Sequence, residues 1–342
     1  MFEETNISEV AASLLQAPPP AQQVAKLTAS EGDVGDDFGT SVAIDGEYAI
    51  VGADNDRDRG SSSGSAYLFK LTGNNWGECQ GNPLGCTETQ KIIANDVVAF
   101  DYFGGSVATN GEYAIVGAAG DDDQGGSSGA AYIFKRYGNY WGEHLKFRAS
   151  DGALADDFGT SVAISDDYAL VGNATDTGTA YLFKFDGSNW GNCPGGGSVC
   201  TETQKLTTND GSAYDGFGLS LAISGDYAII GALDDDDQGT DSGAAYLFER
   251  NGTNWTQQTK LTASDGATGD RFGRRVAISG DYATVGANGD DDQGTNSGAA
   301  YLFHLNGSDW GDCPSSPSEC TETQKLTASN GGAYTVFGND VA

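Results

Sequence analysis

Short apolar stretches alternate with glycine-rich and acidic stretches along the whole chain. The run from Lys260 to Gly311, "KLTASDGATGDRFGRRVAISGDYATVGANGDDDQGTNSGAAYLFHLNGSDWG", shows the pattern. "RVAIS" alternates apolar and polar residues, as a half-buried strand does, and "GD" turns the chain. "YATVGA" predicts a second strand, and after an acidic loop "AAYLFHL" predicts a third. "NGSD" is a tight-turn signal, and the tryptophan after it opens a fourth strand ending in "KLTA". No helical period of comparable length appears.

The unit repeats. "FG" recurs at Phe38, Phe103, Phe158, Phe217, Phe272 and Phe337, in steps of 65, 55, 59, 55 and 65 residues. A lysine stands twelve residues before each phenylalanine: Lys26, Lys91, Lys146, Lys205, Lys260 and Lys325. A tryptophan stands seven residues after the phenylalanine of each "AY(L/I)F": Trp76, Trp141, Trp190, Trp255 and Trp310. Four strands per unit, repeated at this length, predict an all-β chain of four-stranded β-propeller blades; a stacked solenoid is the rival, though its repeats are usually shorter. Residues 22–342 form the propeller, with repeats at about 26–90, 91–145, 146–204, 205–259 and 260–324 and a partial one at 325–342. This amounts to about five complete blades plus partial terminal ones, an incomplete ring whose closure requires more chain. Residues 1–21 are expected to be a leader or linker outside the fold, with one short helix in "NISEVAASLLQ".

The spacing has a second rhythm. From each tryptophan to the next lysine there are 15 residues in repeats one, three and five, but 5 in repeats two and four. Each longer spacer holds a cysteine pair: Cys79 and Cys86, Cys193 and Cys200, Cys313 and Cys320. Six cysteines permit 15 pairings, but recurrence of each pair inside its own insert predicts local disulfides, with structural zinc the alternative. Such bridges are expected to stiffen a hairpin tip without joining blades. They imply an oxidising, extracellular or cell-surface location. N-x-(S/T) sequons at Asn6, Asn173, Asn251, Asn254 and Asn306 make glycosylation an expectation too.

Net charge is −32, from 49 acidic and 17 basic residues. Such a surface repels nucleic acid and attracts cations. No apolar run is long enough for a membrane-spanning helix. The densest acid lies in one recurring loop, "GDDDQG" at Gly120–Gly125 and again at Gly289–Gly294.

The "FG" and "VGA" positions, best seen in "FGTSVAIDGEYAIVGA" (Phe38–Ala53) and "FGLSLAISGDYAIIGA" (Phe217–Ala232), resemble FG-GAP repeats, the blades of integrin alpha-chain propellers. The resemblance covers nearly the whole chain and implies a propeller, seven-bladed in integrins, with calcium in some loops and a role in extracellular adhesion or ligand binding. The acidic loops carry carboxylates at two fixed offsets: Asp56 and Asp58, Asp121 and Asp123, Asp235 and Asp237, Asp290 and Asp292, with Asp54 an added candidate in the first. Alternate residues of an extended loop face one way, and calcium takes six to eight oxygens, so each pair is a candidate calcium site. The integrin pattern departs here: the glycine comes one residue late and most copies lack the final aspartate. Ser63, Ser128, Ser242 and Ser297 are candidate extra oxygens, and Asp241 an off-register one. A solvated acidic loop is the alternative. Repeat three drops the loop and keeps only Asp176, so the loop is separable from the blade.

A second acidic series, Asp36, Asp101, Asp156, Asp215 and Asp270, lies two residues before "FG" and is expected to cap a turn. "GSSSG" and "GGSSG" match G-x-S-x-G formally, but lie in loops away from the strand–turn–helix setting that motif needs. Arg57, Arg59 and the "DRFGRR" run are expected to pair with neighbouring aspartates, an anionic ligand being the alternative. The expected function is an extracellular, non-catalytic, calcium-binding module that engages a protein or glycan. The alternatives are an accessory propeller of a larger secreted enzyme, or an acidic matrix protein.

Overall fold

The computed structural model describes residues 23–79, 85–173, 179–212, 214–313 and 319–342. The expected leader helix and Asp176 lie outside these residues. Strands dominate and pair into successive antiparallel sheets. Blade 2 contains Val107–Thr109, Tyr113–Ala118, Ala130–Tyr137 and Tyr140–Phe147. Blade 4 contains Phe217–Ser224, Tyr227–Ala232, Ala244–Asn251 and Asn254–Thr262. Blade 1 begins Val42–Asp45, Tyr48–Ala53, Ser65–Thr72; blade 3, Ser161–Ser165, Tyr168–Gly172, Ala180–Lys184; blade 5, Phe272–Ser279, Tyr282–Ala287, Ala299–Asn306. In these odd blades the cysteine insert interrupts the fourth strand, whose later part resumes on the third at Gln90–Ile92, Gln204–Leu206 and Gln324–Leu326. The first strands of consecutive blades lie against one another. The fold is a partial β-propeller.

Blade and sequence repeat are offset. Lys91 pairs across strands with Tyr67, so the lysine that opens each repeat belongs to the fourth strand of the blade before it.

The second strands "YAIVGA" of blades 1 and 2 are buried at every residue because both sheet faces are covered. Val116, Tyr132 and Phe134 pack towards blade 1; Ile115, Ile133 and Tyr113 pack towards blade 3. The cores therefore lie between blades, and a single blade would leave both faces wet. The tryptophans seal these seams. Trp141 meets Tyr48 of the preceding blade edge-on at 5.4 Å, and Trp190, Trp255 and Trp310 meet Tyr113, Tyr168 and Tyr227 in the same way. Such a pair contributes about 0.5–1.5 kcal/mol beyond the area it buries.

The two glycine signatures are halves of one contact. A Cβ on Gly117 of "VGA" would lie 2.0 Å from the carbonyl oxygen of Gly159, the "FG" glycine of the next blade. Only a residue without Cβ admits that approach. The same contact recurs at Gly52, Gly172, Gly231 and Gly286.

All three local disulfides form: Cys79–Cys86, Cys193–Cys200 and Cys313–Cys320. Each bridge closes within its own insert, as expected, but the insert itself reaches the preceding blade. Val199–Cys200, from the insert of blade 3, pairs in parallel with Lys146 and Phe147 of blade 2. Glu319–Thr321 of the blade 5 insert joins blade 4 in the same way, and Gly85–Thr87 joins Lys26–Thr28. An edge strand offers unpaired backbone groups, and the insert satisfies them.

Candidate functional site

The acidic loop joins the second and third strands of its blade. Its first aspartate turns inward: Asp56, Asp121, Asp235 and Asp290 are only 2–3% exposed. One carboxylate oxygen accepts the backbone N–H two residues on, as Asp121 Oδ1 does from Asp123 at 3.2 Å. The other accepts the hydroxyl of the third-strand tyrosine: Tyr67, Tyr132, Tyr246 and Tyr301, at 2.8–3.0 Å. The serine of each loop fixes its shape. Ser128 Oγ donates to the Asp121 carbonyl and accepts the Gln124 N–H, and Ser63, Ser242 and Ser297 do the same in their loops. These hydroxyls serve the loop rather than an ion.

The cation already present in each cluster is a lysine. Lys91 Nζ lies 2.8 Å from Asp56 and 2.6 Å from Asp58. Lys146 lies 2.6 Å from Asp121, 2.7 Å from Asp123 and 2.9 Å from Asp96. Lys260 lies 2.8 Å from Asp235, 2.5 Å from Asp237 and 3.3 Å from Asp210. Lys325 lies 2.6 Å from both Asp290 and Asp292 and 2.7 Å from Asp265. Each ammonium also sits 5.1–5.3 Å from the centre of its tyrosine ring.

The third carboxylates Asp96, Asp210 and Asp265 were missed in the sequence. Each lies five residues after a repeat lysine, on the chain entering the blade. That fixed offset, filled also by Glu31 and Asp151, was the available signal.

Electrostatics match the geometry. Burial opposes charge on Asp56, but hydrogen bonds from Lys91, the Asp58 N–H, Tyr67 and Ser65 hold its carboxyl below the usual range. Burial likewise opposes charge on Asp96 and Asp265, and Lys146 and Lys325 hold them down. Burial would lower Lys91, Lys260 and Lys325, but their carboxylates hold them well above the usual lysine range.

Blade 3, without the acidic loop, leaves Lys205 with Asp151 at 2.5 Å and Glu202 at 3.6 Å. Its side chain is 33% exposed, against 5% for Lys146.

Two groups of three carboxylates, Asp96/Asp121/Asp123 and Asp265/Asp290/Asp292, lie close enough to hold a metal ion. Hard oxygens suit calcium. The inner Oδ2 atoms of Asp121 and Asp290 are already bonded to ammonium and phenol, so an added ion would use the exposed side, where Asp96, Asp123, Asp265 and Asp292 are 39–62% exposed. Asp54 stands apart: burial, reinforced by Asp37, pushes its carboxyl up, and it shares no hydrogen bond with the Asp56–Lys91 group. Asp241 donates its N–H to Asp236.

The aspartates before "FG" do cap turns. Asp36, Asp101, Asp156, Asp215 and Asp270 each accept the backbone N–H three residues earlier, at 2.6–2.8 Å. The expected arginine–aspartate pairs mostly do not form. Among the described residues Arg57, Arg59, Arg271 and Arg274 have no carboxylate within 4.0 Å, and Arg275 has only Asp340, at 3.8 Å.

A family model described as FG-GAP repeat matches residues 21–69, 86–134, 141–183, 200–248 and 255–303. The chain belongs to the FG-GAP repeat family. No curated protein matches it individually. Each FG-GAP match ends at the phenylalanine closing "AY(L/I)F", and together the matches contain all four acidic loops.

Proposed function

We propose that this FG-GAP chain is an extracellular, non-catalytic module that binds a protein or glycan ligand in an adhesive role. The observation that carries the reading is the recurrence of one loop chemistry in blades 1, 2, 4 and 5, in the same place on each. A reaction centre needs one asymmetric set of groups, whereas repeated equivalent loops suit a multivalent surface. Ser62, the middle serine of "GSSSG", sits in a left-handed turn where its carbonyl accepts the Tyr102 N–H, and the next serine, Ser63, donates to the Asp56 carbonyl. The two histidines lie beside Tyr113 and Tyr282 on blade surfaces. The three disulfides support an oxidising location.

Calcium belongs to this reading as an addition to the lysine. Three carboxylates and one ammonium leave the blade 5 cluster at −2, and a divalent ion held by Asp265 and Asp292 neutralises it. Asp96 and Asp123 offer the equivalent position in blade 2, where Arg148 also pairs with Asp123 and leaves a weaker site. The test is calorimetric titration with calcium and magnesium, then retention of the chain on arrayed extracellular glycoproteins and glycans with calcium or chelator. Two calcium sites, the tighter lost in Asp292→Asn, and retention released by chelator are expected. Absence of calcium binding removes the ion; absence of retention removes the adhesive role.

A further inference from the structure

Three arginines lie in one stretch, Arg271, Arg274 and Arg275, on a chain with 49 acidic and 17 basic residues, and of these only Arg275 has a carboxylate within 4.0 Å, Asp340 at 3.8 Å. The repeat shows how unusual they are. Two residues after the "FG" phenylalanine, the other units carry Thr40, Gly105, Thr160, Leu219 and Asn339; three after, Ser41, Ser106, Ser161, Ser220 and Asp340. In blades 1 to 3 that serine donates to a glycine carbonyl of the next blade, at 2.6–2.7 Å. Arg275 gives up this bond, so blade 5 departs from the pattern at a structural position.

Blade 4 departs beside it. Leu219 stands where blades 1 and 3 have threonine, and Leu233 where blade 1 has Asp54. The departures converge on a hollow of about 350 Å³ between the first strands of blades 3, 4 and 5. Leu219, Leu221 and Leu233 line it on one side, Arg274 and Arg275 on the other, and no carboxylate lines it. Arg274 uses its Nε on Asn339 at 3.1 Å, and Arg275 uses one terminal nitrogen on the Arg274 carbonyl at 3.2 Å. Arg275 Nε faces Asp340 at 3.8 Å, beyond hydrogen-bond reach, and the other guanidinium nitrogens have no hydrogen-bond acceptor among the described residues. Burial and then the charges of Arg275 and Arg271 disfavour the Arg274 cation, with only Asp234 opposing them.

We propose that this hollow binds a small organic carboxylate bearing an apolar chain, the anion against Arg274 and Arg275 and the chain against Leu219, Leu221 and Leu233. A guanidinium fork matches a carboxylate with two parallel hydrogen bonds, and the leucines supply the apolar wall typical of ligand pockets. The inference goes beyond the adhesive reading and uses none of the acidic-loop carboxylates, so either can fail alone.

The test is isothermal titration at low ionic strength with hexanoate, hexanamide and acetate. Hexanoate is expected to bind at least roughly tenfold more tightly than either of the others, since a charge-assisted hydrogen bond and the buried chain are each worth that much. Arg274→Thr and Arg275→Ser restore the residues blade 3 carries, so the fold tolerates them; each should weaken hexanoate by roughly tenfold. Leu219→Thr should weaken hexanoate but leave acetate unchanged. Equal binding of hexanoate and hexanamide, unchanged binding in both arginine variants, or no hexanoate binding at tens of millimolar each overturn the proposal.

Discussion

Blades 2 and 3 share strands, glycine contacts and tryptophan seams, yet handle one conserved position of the repeat differently. In blade 2 the fourth-strand lysine, Lys146, is enclosed by Asp96, Asp121 and Asp123. In blade 3 the equivalent Lys205 lies nearer solvent with Asp151 and Glu202. The lysine is thus part of every blade, and the acidic loop is what buries it. The adjacent carboxylates do not simply repel one another; their charge is met by an ammonium from the neighbouring strand.

The largest effect should come from deleting that ammonium. Lys146→Met leaves Asp121 buried without its counter-charge and should cost about 3–5 kcal/mol, whereas Lys205→Met should cost under about 1 kcal/mol. Urea denaturation of both variants checks this, and equal losses would break the comparison. Next is the disulfide. Cys193→Ser with Cys200→Ser releases a short loop worth about 2.5 kcal/mol by chain entropy. Because Lys146 and Arg148 donate their N–H groups to Ser198 and Cys200, hydrogen exchange should quicken at those two amides, in the blade before the lost bridge.

Calcium should act more weakly. At ten times its dissociation constant a site adds about 1.4 kcal/mol, so melting should rise by a few degrees, less in Asp292→Asn. A Lys205→Met chain should respond like the parent, since blade 3 lacks the loop. The smallest effect concerns pH. Burial, with help from Asp121, pushes Asp101 up to about 6; burial, with help from Asp290, does the same for Asp270. Their folded values exceed the unfolded 3.8, so the native state holds extra protons between about pH 4 and 6 and loses stability as pH rises through that window. Asp101→Asn and Asp270→Asn keep the turn-capping acceptor and should be more stable than the parent at pH 7.5 but not at pH 4. Below that, the opposite shift dominates: Asp56, Asp96 and Asp265, held low by lysine, lose their contribution as they protonate. Melting curves from pH 3.5 to 8 separate the two.

Strand number, the fixed lysine and tryptophan offsets and the cysteine pairs were legible because each is a local pattern repeated several times. The aspartates before "FG" were legible as turn caps for the same reason. The lysine's role was not. Drawing each repeat from its lysine separated Lys91 from Tyr67, although the two are direct cross-strand partners. Asp96 and Asp121 are likewise brought together only when the incoming chain folds over the blade. The docking of each cysteine insert on the preceding blade was hidden because parallel pairing leaves no turn signal between its strands. The Arg274–Leu219 hollow shows up only as exceptions to the repeat, whose meeting place depends on how blades 4 and 5 stack.

The fourth-strand lysine has one more consequence. A dissolved ion leaves its site when diluted or chelated, but a charge covalently fixed to the adjacent strand keeps the same local concentration whatever the medium holds. The loops of blades 1, 2, 4 and 5 therefore carry their own permanent counter-ion. Their shape should be indifferent to the hardness of the surrounding water, leaving divalent ions to govern only what the outer carboxylates grip.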